Sequence, residues 1–292
     1  MWFLVRTAQP NWQALARVRV SITWEWLLLG SMVWLASFSA LVRLWAASLA
    51  WWGQRLTVLP ALRIFFLTNL ARYIPGTIWQ FTGLAAMALA HKVSPLAAAA
   101  GVLVQQIVLL TTGVVLSLVL APGLLGPLAA SLSPAAVLTM AAGAIALLMV
   151  LFPIALPRLQ RLAERWFQRG FVLPTPPAGS FARYILGSIL SWVGYGVAFW
   201  LFARAILAGQ APNILVAGTA FVASYVAGII AVFAPAGLVV REAALVAALG
   251  GWIGTERALI LAVAARLWLV SLEILGALVC IVVHGFRNTN TN

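Results

Sequence analysis

Two stretches of this chain place an arginine beside helix-breaking residues inside otherwise apolar sequence. The first is Asn69-Leu70-Ala71-Arg72-Tyr73-Ile74-Pro75-Gly76, followed closely by Trp79 and Gln80. The second is Pro235-Ala236-Gly237-Leu238-Val239-Val240-Arg241-Glu242, which ends a 36-residue run, Ala205 to Val240, without a charged side chain. Within lipid, a broken helix leaves backbone groups that only protein or a watery cavity can satisfy. A charge at that depth costs about 3 kcal/mol on the milder insertion scales and marks function. The two breaks are therefore expected to face each other and line a site. Arginine suits anions containing phosphate, because its planar fork donates two hydrogen bonds and never loses its charge. Arg241 follows the Pro235–Gly237 break by about one helical turn, near the start of a returning helix, where free N–H groups and the helix dipole also favour an anion. Arg72 is its counterpart in the first break. Glu242 could balance Arg241 or meet a cationic group, and Arg266 and Glu273, seven residues apart, share a face of the last span. The plainer alternative is that Arg241, Glu242, Arg266 and Glu273 form ion pairs that hold helices together, with Arg72 and Tyr73 snorkelling towards an interface.

The elements that must carry these groups follow from composition. The 292 residues are 64% hydrophobic and 8% charged, with mean hydropathy +1.06. A soluble domain carries about 25% charged residues. From Val93 to Pro157 there are 65 residues without Asp, Glu, Lys or Arg, enough for two spans of about 20 residues and a turn. The expected class is all-α, a polytopic membrane helical bundle. Net charge is +13, from seventeen arginines and Lys92 against five glutamates. In a membrane protein this reads as positive-inside loops beside anionic headgroups, and no nucleic-acid partner is expected. One cysteine, Cys280, excludes an intramolecular disulfide. Tryptophans near span ends, such as Trp24, Trp51, Trp52 and Trp252, suit an interfacial belt. Met1 to Val5 is too short for the apolar core of a signal peptide, so no cleaved leader is expected.

In chain order, Asn11 to Val20 reads as a short surface helix and Trp26 to Trp52 as the first span, with Arg43 snorkelling from it. Leu62 to Leu89 is broken at Tyr73-Ile74-Pro75-Gly76 and reads as a re-entrant hairpin that returns near His91 and Lys92. Spans follow at Pro95–Ala121 and Pro134–Leu156. Gln105 and Gln106 are expected to hydrogen-bond between helices, and the small residues of Ala97–Gly101 and Gly194-Tyr195-Gly196 to pack closely. Residues 158–171 alternate arginines with an apolar face, the pattern of an interfacial amphipathic helix on the cytoplasmic side. A linker at 174–180 precedes a span at Phe181–Leu207, then Pro212–Ala234, the second break, a short returning arm at Ala243–Gly250, and a last span at Arg257–Val283. The chain is thus one integral membrane domain, with seven or so membrane elements and two broken hairpins. A broken segment in each half, within pseudo-repeats 24–157 and 181–284, is the pattern expected of an inverted-repeat transporter. Multi-pass insertion in the plasma membrane with loop 157–180 cytoplasmic satisfies the positive-inside rule for Arg55, Arg63 and Lys92, and leaves the N-terminus outside.

At the two breaks the chain resembles the lysylphosphatidylglycerol synthase transmembrane-region family, which includes the flippase domain of bacterial multiple-peptide-resistance proteins. Asn69 to Gly76 with Trp79 resembles the family's first motif. Pro235 to Leu245 resembles its second, roughly Pro-Gly-Gly-x-Gly-x-Arg-Glu, with Ala236 and Val239 in place of two glycines. The spacing and Arg266 extend the resemblance over nearly the whole chain. It implies a helical bundle with re-entrant helices that moves a phospholipid or lipid-linked sugar between leaflets. The expected partners are membrane lipids, anionic or polyprenyl-phosphate-linked. The residues expected at the headgroup are Arg72, Tyr73, Pro75, Gly76, Trp79, Gln80, Pro235, Gly237, Arg241, Glu242, Arg266 and Glu273. An alternative is a non-transporting membrane partner of a glycosyltransferase or lipid-modifying enzyme. An integral-membrane transferase ranks last, because the chain has no aspartate and few acids to act as a base. No metal-ligand spacing or phosphate loop is present, so neither enzyme activity, metal nor cofactor is expected.

Overall fold

The computed structural model describes residues 22–73, 78–120, 131–167, 175–231 and 237–289. Their backbone is helical wherever the sequence is long and apolar, since in lipid a helix is the one open chain form that pairs its own N–H and C=O groups. Nine α-helices result among the described residues: α1 (Trp24–Ser48), α2 (Val58–Ala71), α3 (Ile78–Ala90), α4 (Pro95–Leu120), α5 (Pro134–Phe167), α6 (Ala178–Leu207), α7 (Ile214–Ile230), α8 (Val240–Ile253) and α9 (Thr255–Thr289). A 3-10 turn, Leu49–Trp52, extends α1. Among the described residues five segments are long and apolar enough to cross a membrane, at Trp24–Trp52, Pro95–Leu120, Pro134–Ala155, Ala178–Leu207 and Thr255–Val283. The protein is a membrane-embedded helical bundle.

Specific contacts give the directions of the helices. The Thr23 N–H at the start of α1 donates to the Ala205 carbonyl at the end of α6, 3.0 Å away. At the other extremity Trp51 meets Tyr184 of α6, with ring centroids 5.4 Å apart. The two helices are therefore antiparallel along their length. α4 also runs against α1: Trp45 Nε1 donates to Ala98 O (3.3 Å) and Gln105 Nε2 to Leu41 O (3.1 Å). Gln105 thus makes the expected interhelical bond, whereas Gln106 faces outward, one residue further round the helix. The Ser94 N–H donates to Gln54 Oε1 (3.3 Å), so the chain leaving α1 and the chain entering α4 lie side by side, with α2 and α3 between them in sequence. Along α9, Trp268 Nε1 donates to Ser31 Oγ of α1 (2.9 Å), and Gly276 packs against Phe66 of α2.

Helix association in lipid rests on close van der Waals packing more than on apolar burial, because lipid tails are as apolar as the helices. The small residues do this here. A Cβ on Gly196 would stand 3.0 Å from the Gly218 Cα, one on Gly101 2.9 Å from Trp45 Nε1, and one on Gly194 2.1 Å from Ser37 Oγ. Arg43 lies exposed on α1, as a snorkelling side chain requires.

Two boundaries differ from the sequence reading. Residues 158–167 do not form a separate surface helix: α5 continues unbroken from Pro134 to Phe167 through Pro153 and Pro157. Its 34 residues reach about 51 Å, well past a hydrocarbon core of about 30 Å. The amphipathic stretch is the protruding end of a span. The second break also ends earlier than the sequence indicates, because α8 starts at Val240 rather than Ala243.

Candidate functional site

The midpoint of the Thr255–Val283 span falls between Arg266 and Glu273, and the described residues flanking both breaks meet there. α2 delivers Arg72 immediately after its last residue, about 21 Å along from Val58. The guanidinium of Arg72 forms an ion pair with the Glu273 carboxylate, which is 2% exposed. Arg72 Nη2 also donates to the Tyr73 hydroxyl (3.2 Å), which in turn donates to Glu273 Oε2 (3.0 Å). One carboxylate on α9 thus gathers both polar residues of the first break.

The second break arrives from α7 and α8. Gly237 has φ +64°, a conformation glycine adopts at little cost. A Cβ there would stand 2.9 Å from the Gly228 Cα, so α7 and the chain entering α8 touch backbone to backbone. Val239, just before α8, has φ +71°, which is strained for a β-branched residue. Arg241 and Glu242 follow in the first turn of α8. Glu242 is buried, and its Oε1 lies 3.5 Å from Arg266 Nη1. Arg266 also stands over the Tyr73 ring, 5.2 Å from the centroid, and so links the second break to the first.

Arg241 is different. Its guanidinium lies over the Tyr225 ring, 4.2 Å from the centroid, and 5.6 Å from that of Phe221. No carboxylate pairs with it among the described residues. Its stem crosses Gly228, where a Cβ would fall 2.5 Å from Arg241 Cγ. Tyr225 is also within electrostatic reach of Arg72. The cluster therefore holds three arginines and two glutamates, an excess of one positive charge at mid-span. A void of about 20 Å³ lies between Phe221, Arg241, Glu242 and Arg266, the volume of about one water.

Of the residues singled out from sequence, Arg72, Tyr73, Arg241, Glu242, Arg266 and Glu273 come together, and Gly237 shapes the second break. Gln80 stands at the edge, its Nε2 donating to Asn69 Oδ1 (3.3 Å). Trp79 is 57% exposed. Pro75, Gly76 and Pro235 lie outside the described residues. Sequence reading missed Phe221, Tyr225 and Gly228, whose spacing of four and three places them on one stripe of α7; that stripe was the available signal. Among the described residues no group of three or more His, Cys, Asp or Glu is placed to hold a metal ion. Compared with known proteins, the chain matches no family model, no curated protein and no solved structure.

Proposed function

We propose that this protein translocates a lipid with an anionic, phosphate-bearing headgroup between leaflets, as a member of the lysylphosphatidylglycerol synthase transmembrane-region family. The observation that carries the reading is Arg241, held at mid-span against aromatic faces with no carboxylate partner while the other two site arginines are paired. An uncompensated charge in lipid is costly, and a transient anionic ligand offsets that cost. Stacking leaves the edge of the guanidinium, with its N–H groups, free to meet a phosphate. In this reading Arg72–Glu273 and Arg266–Glu242 brace the two breaks, and Arg241 takes the headgroup.

The architecture we infer is an inverted repeat. The first hairpin, α2 and α3, is re-entrant from the Trp52 end, a reading supported by the Gln54–Ser94 contact. The second, α7 and α8, is re-entrant from the opposite end, a reading supported by the close contact of Gly228 with Gly237. The repeats pair α1 with α6 and α4 with α9, with α5 as the connector outside them. The Trp52 end gathers Arg55, Lys92, Arg158 and Arg183, and on the positive-inside rule it is cytoplasmic in a plasma membrane. Because the void beside Arg241 holds about one water, a headgroup enters only when the breaks separate, as alternating access at broken helices requires.

The test is a fluorescent-lipid translocation assay in proteoliposomes, comparing wild type with Arg241→Gln. Losing one charge-assisted phosphate contact, about 2 kcal/mol, lowers the rate about thirtyfold. Equal rates in variant and wild type, with both proteins monodisperse, would sink the assignment.

A further inference from the structure

A second arginine is held in the same manner, far from the first. Near the end of α6, the Arg204 guanidinium lies over Trp26 of α1 at 4.2 Å and beside Trp200 at 5.2 Å. No ion pair engages it among the described residues. It lines an open pocket of about 430 Å³ together with both tryptophans, Thr23 and Asn213. Thr23 and Asn213 are the N-caps of α1 and α7, so two helix starts add their positive ends to the same wall.

An apolar groove of about 150 Å³ adjoins this pocket along α6 and α7. Val193 and Val197 of the groove and Trp200 and Arg204 of the pocket recur at i, i+4, i+7 and i+11, one face of α6. On α7 the pocket ends at Asn213 and the groove begins at Ile214. The floor of the groove is the Gly196–Gly218 contact, where neither glycine has a side chain to fill the space. The depression thus changes along one line from cationic and aromatic at the helix ends to apolar within the span, as a phospholipid does.

We propose that the pocket and the neighbouring groove together form a binding site for one anionic phospholipid, with its phosphate on Arg204 and an acyl chain along Val193 and Gly218. The two tryptophan rings pack against the guanidinium, which donates its N–H groups to phosphate oxygens. The groove takes the tail because its walls are as apolar as the lipid around it. The site opens at the Asn213 end, so it serves one leaflet only. It stands independently of the mid-span cluster and of the translocase reading.

The experiment uses the full chain in an uncharged detergent, with native mass spectrometry counting the molecules retained. The probes are short-chain phosphatidylglycerol, short-chain diacylglycerol and inorganic phosphate. Wild type is expected to retain phosphatidylglycerol in preference to the other two. Arg204→Gln is expected to weaken that binding about tenfold, towards the diacylglycerol level. Val193→Trp, on an exposed face where folding is undisturbed, fills the groove and weakens phosphatidylglycerol binding without creating a phosphate site. Gly143→Ala, on α5 with open space around its Cβ, leaves this binding unchanged. Phosphatidylglycerol binding lost in Arg241→Ala but kept in Arg204→Gln would overturn the proposal and assign the lipid to mid-span. Inorganic phosphate held as tightly as the lipid, indifferent to Val193→Trp, would make the pocket a free-anion site and equally overturn it. Retention of none of the probes would mean that the pocket is closed by the chain itself, and the assignment fails.

Discussion

Replacing Gly228 by alanine tests the site without removing any of its charges. The new Cβ would stand 2.5 Å from Arg241 Cγ and 2.9 Å from Cδ, against ordinary carbon contacts of about 3.5 Å or more. The stem of Arg241 must then move by about 1 Å, and the approach of α7 to Gly237 leaves little room on the other side. Overpacking of this kind costs about 1–3 kcal/mol. Alanine is also the better helix former by about 0.5–1 kcal/mol, so the net loss of stability is expected to be about 0–2 kcal/mol. The displaced guanidinium leaves its place over Tyr225, and a misplacement of about 1 Å at a site of chemistry or binding costs up to about a hundredfold. Lipid translocation should fall at least about tenfold while thermal stability falls little. Gly143→Ala, on α5 with open space around its Cβ, is the control and should be neutral or slightly stabilising. Translocation at the wild-type rate in Gly228→Ala would refute the argument that the position of Arg241, rather than its presence alone, matters.

Removing the acid of the first break should cost more than removing the pair. Glu273→Gln leaves Arg72 buried without its partner and is expected to destabilise the protein by about 3–5 kcal/mol in a detergent melt; the double variant with Arg72→Gln should recover part of that loss. Additive losses in the two single variants would mean that the ion pair is not coupled. Val239→Gly relieves a positive φ at a β-branched residue and should stabilise by about 1–2 kcal/mol. A lower melting temperature for Val239→Gly would contradict the strain.

How much was legible before the structure differs from element to element. The five helices long and apolar enough to cross followed from long apolar runs that carry few charges, because lipid permits an open chain little but helix. The breaks were legible because Pro75, Gly76, Pro235 and Gly237 interrupt those runs in both halves. Arg72, Arg241, Glu242, Arg266 and Glu273 were legible as candidates because charge in such a context needs a reason. The end of α5 was misread because a change from apolar to amphipathic sequence marks the membrane boundary, and a helix can cross that boundary without stopping. What the sequence left open was pairing. Three arginines and two glutamates admit several matchings, and only the packing of α9 against α2 and α8 assigns Glu273 to Arg72 and Glu242 to Arg266, leaving Arg241 on Tyr225. Gly228 and Tyr225 carry no charge and break no helix, so only their shared stripe with Phe221 on α7 marks them. They matter because α7 approaches Gly237 closely enough for a single methyl group to displace an arginine. Local composition determines which segments enter the membrane and where they fail; which charges meet there depends on distances between helices far apart in sequence, and only the folded chain sets those.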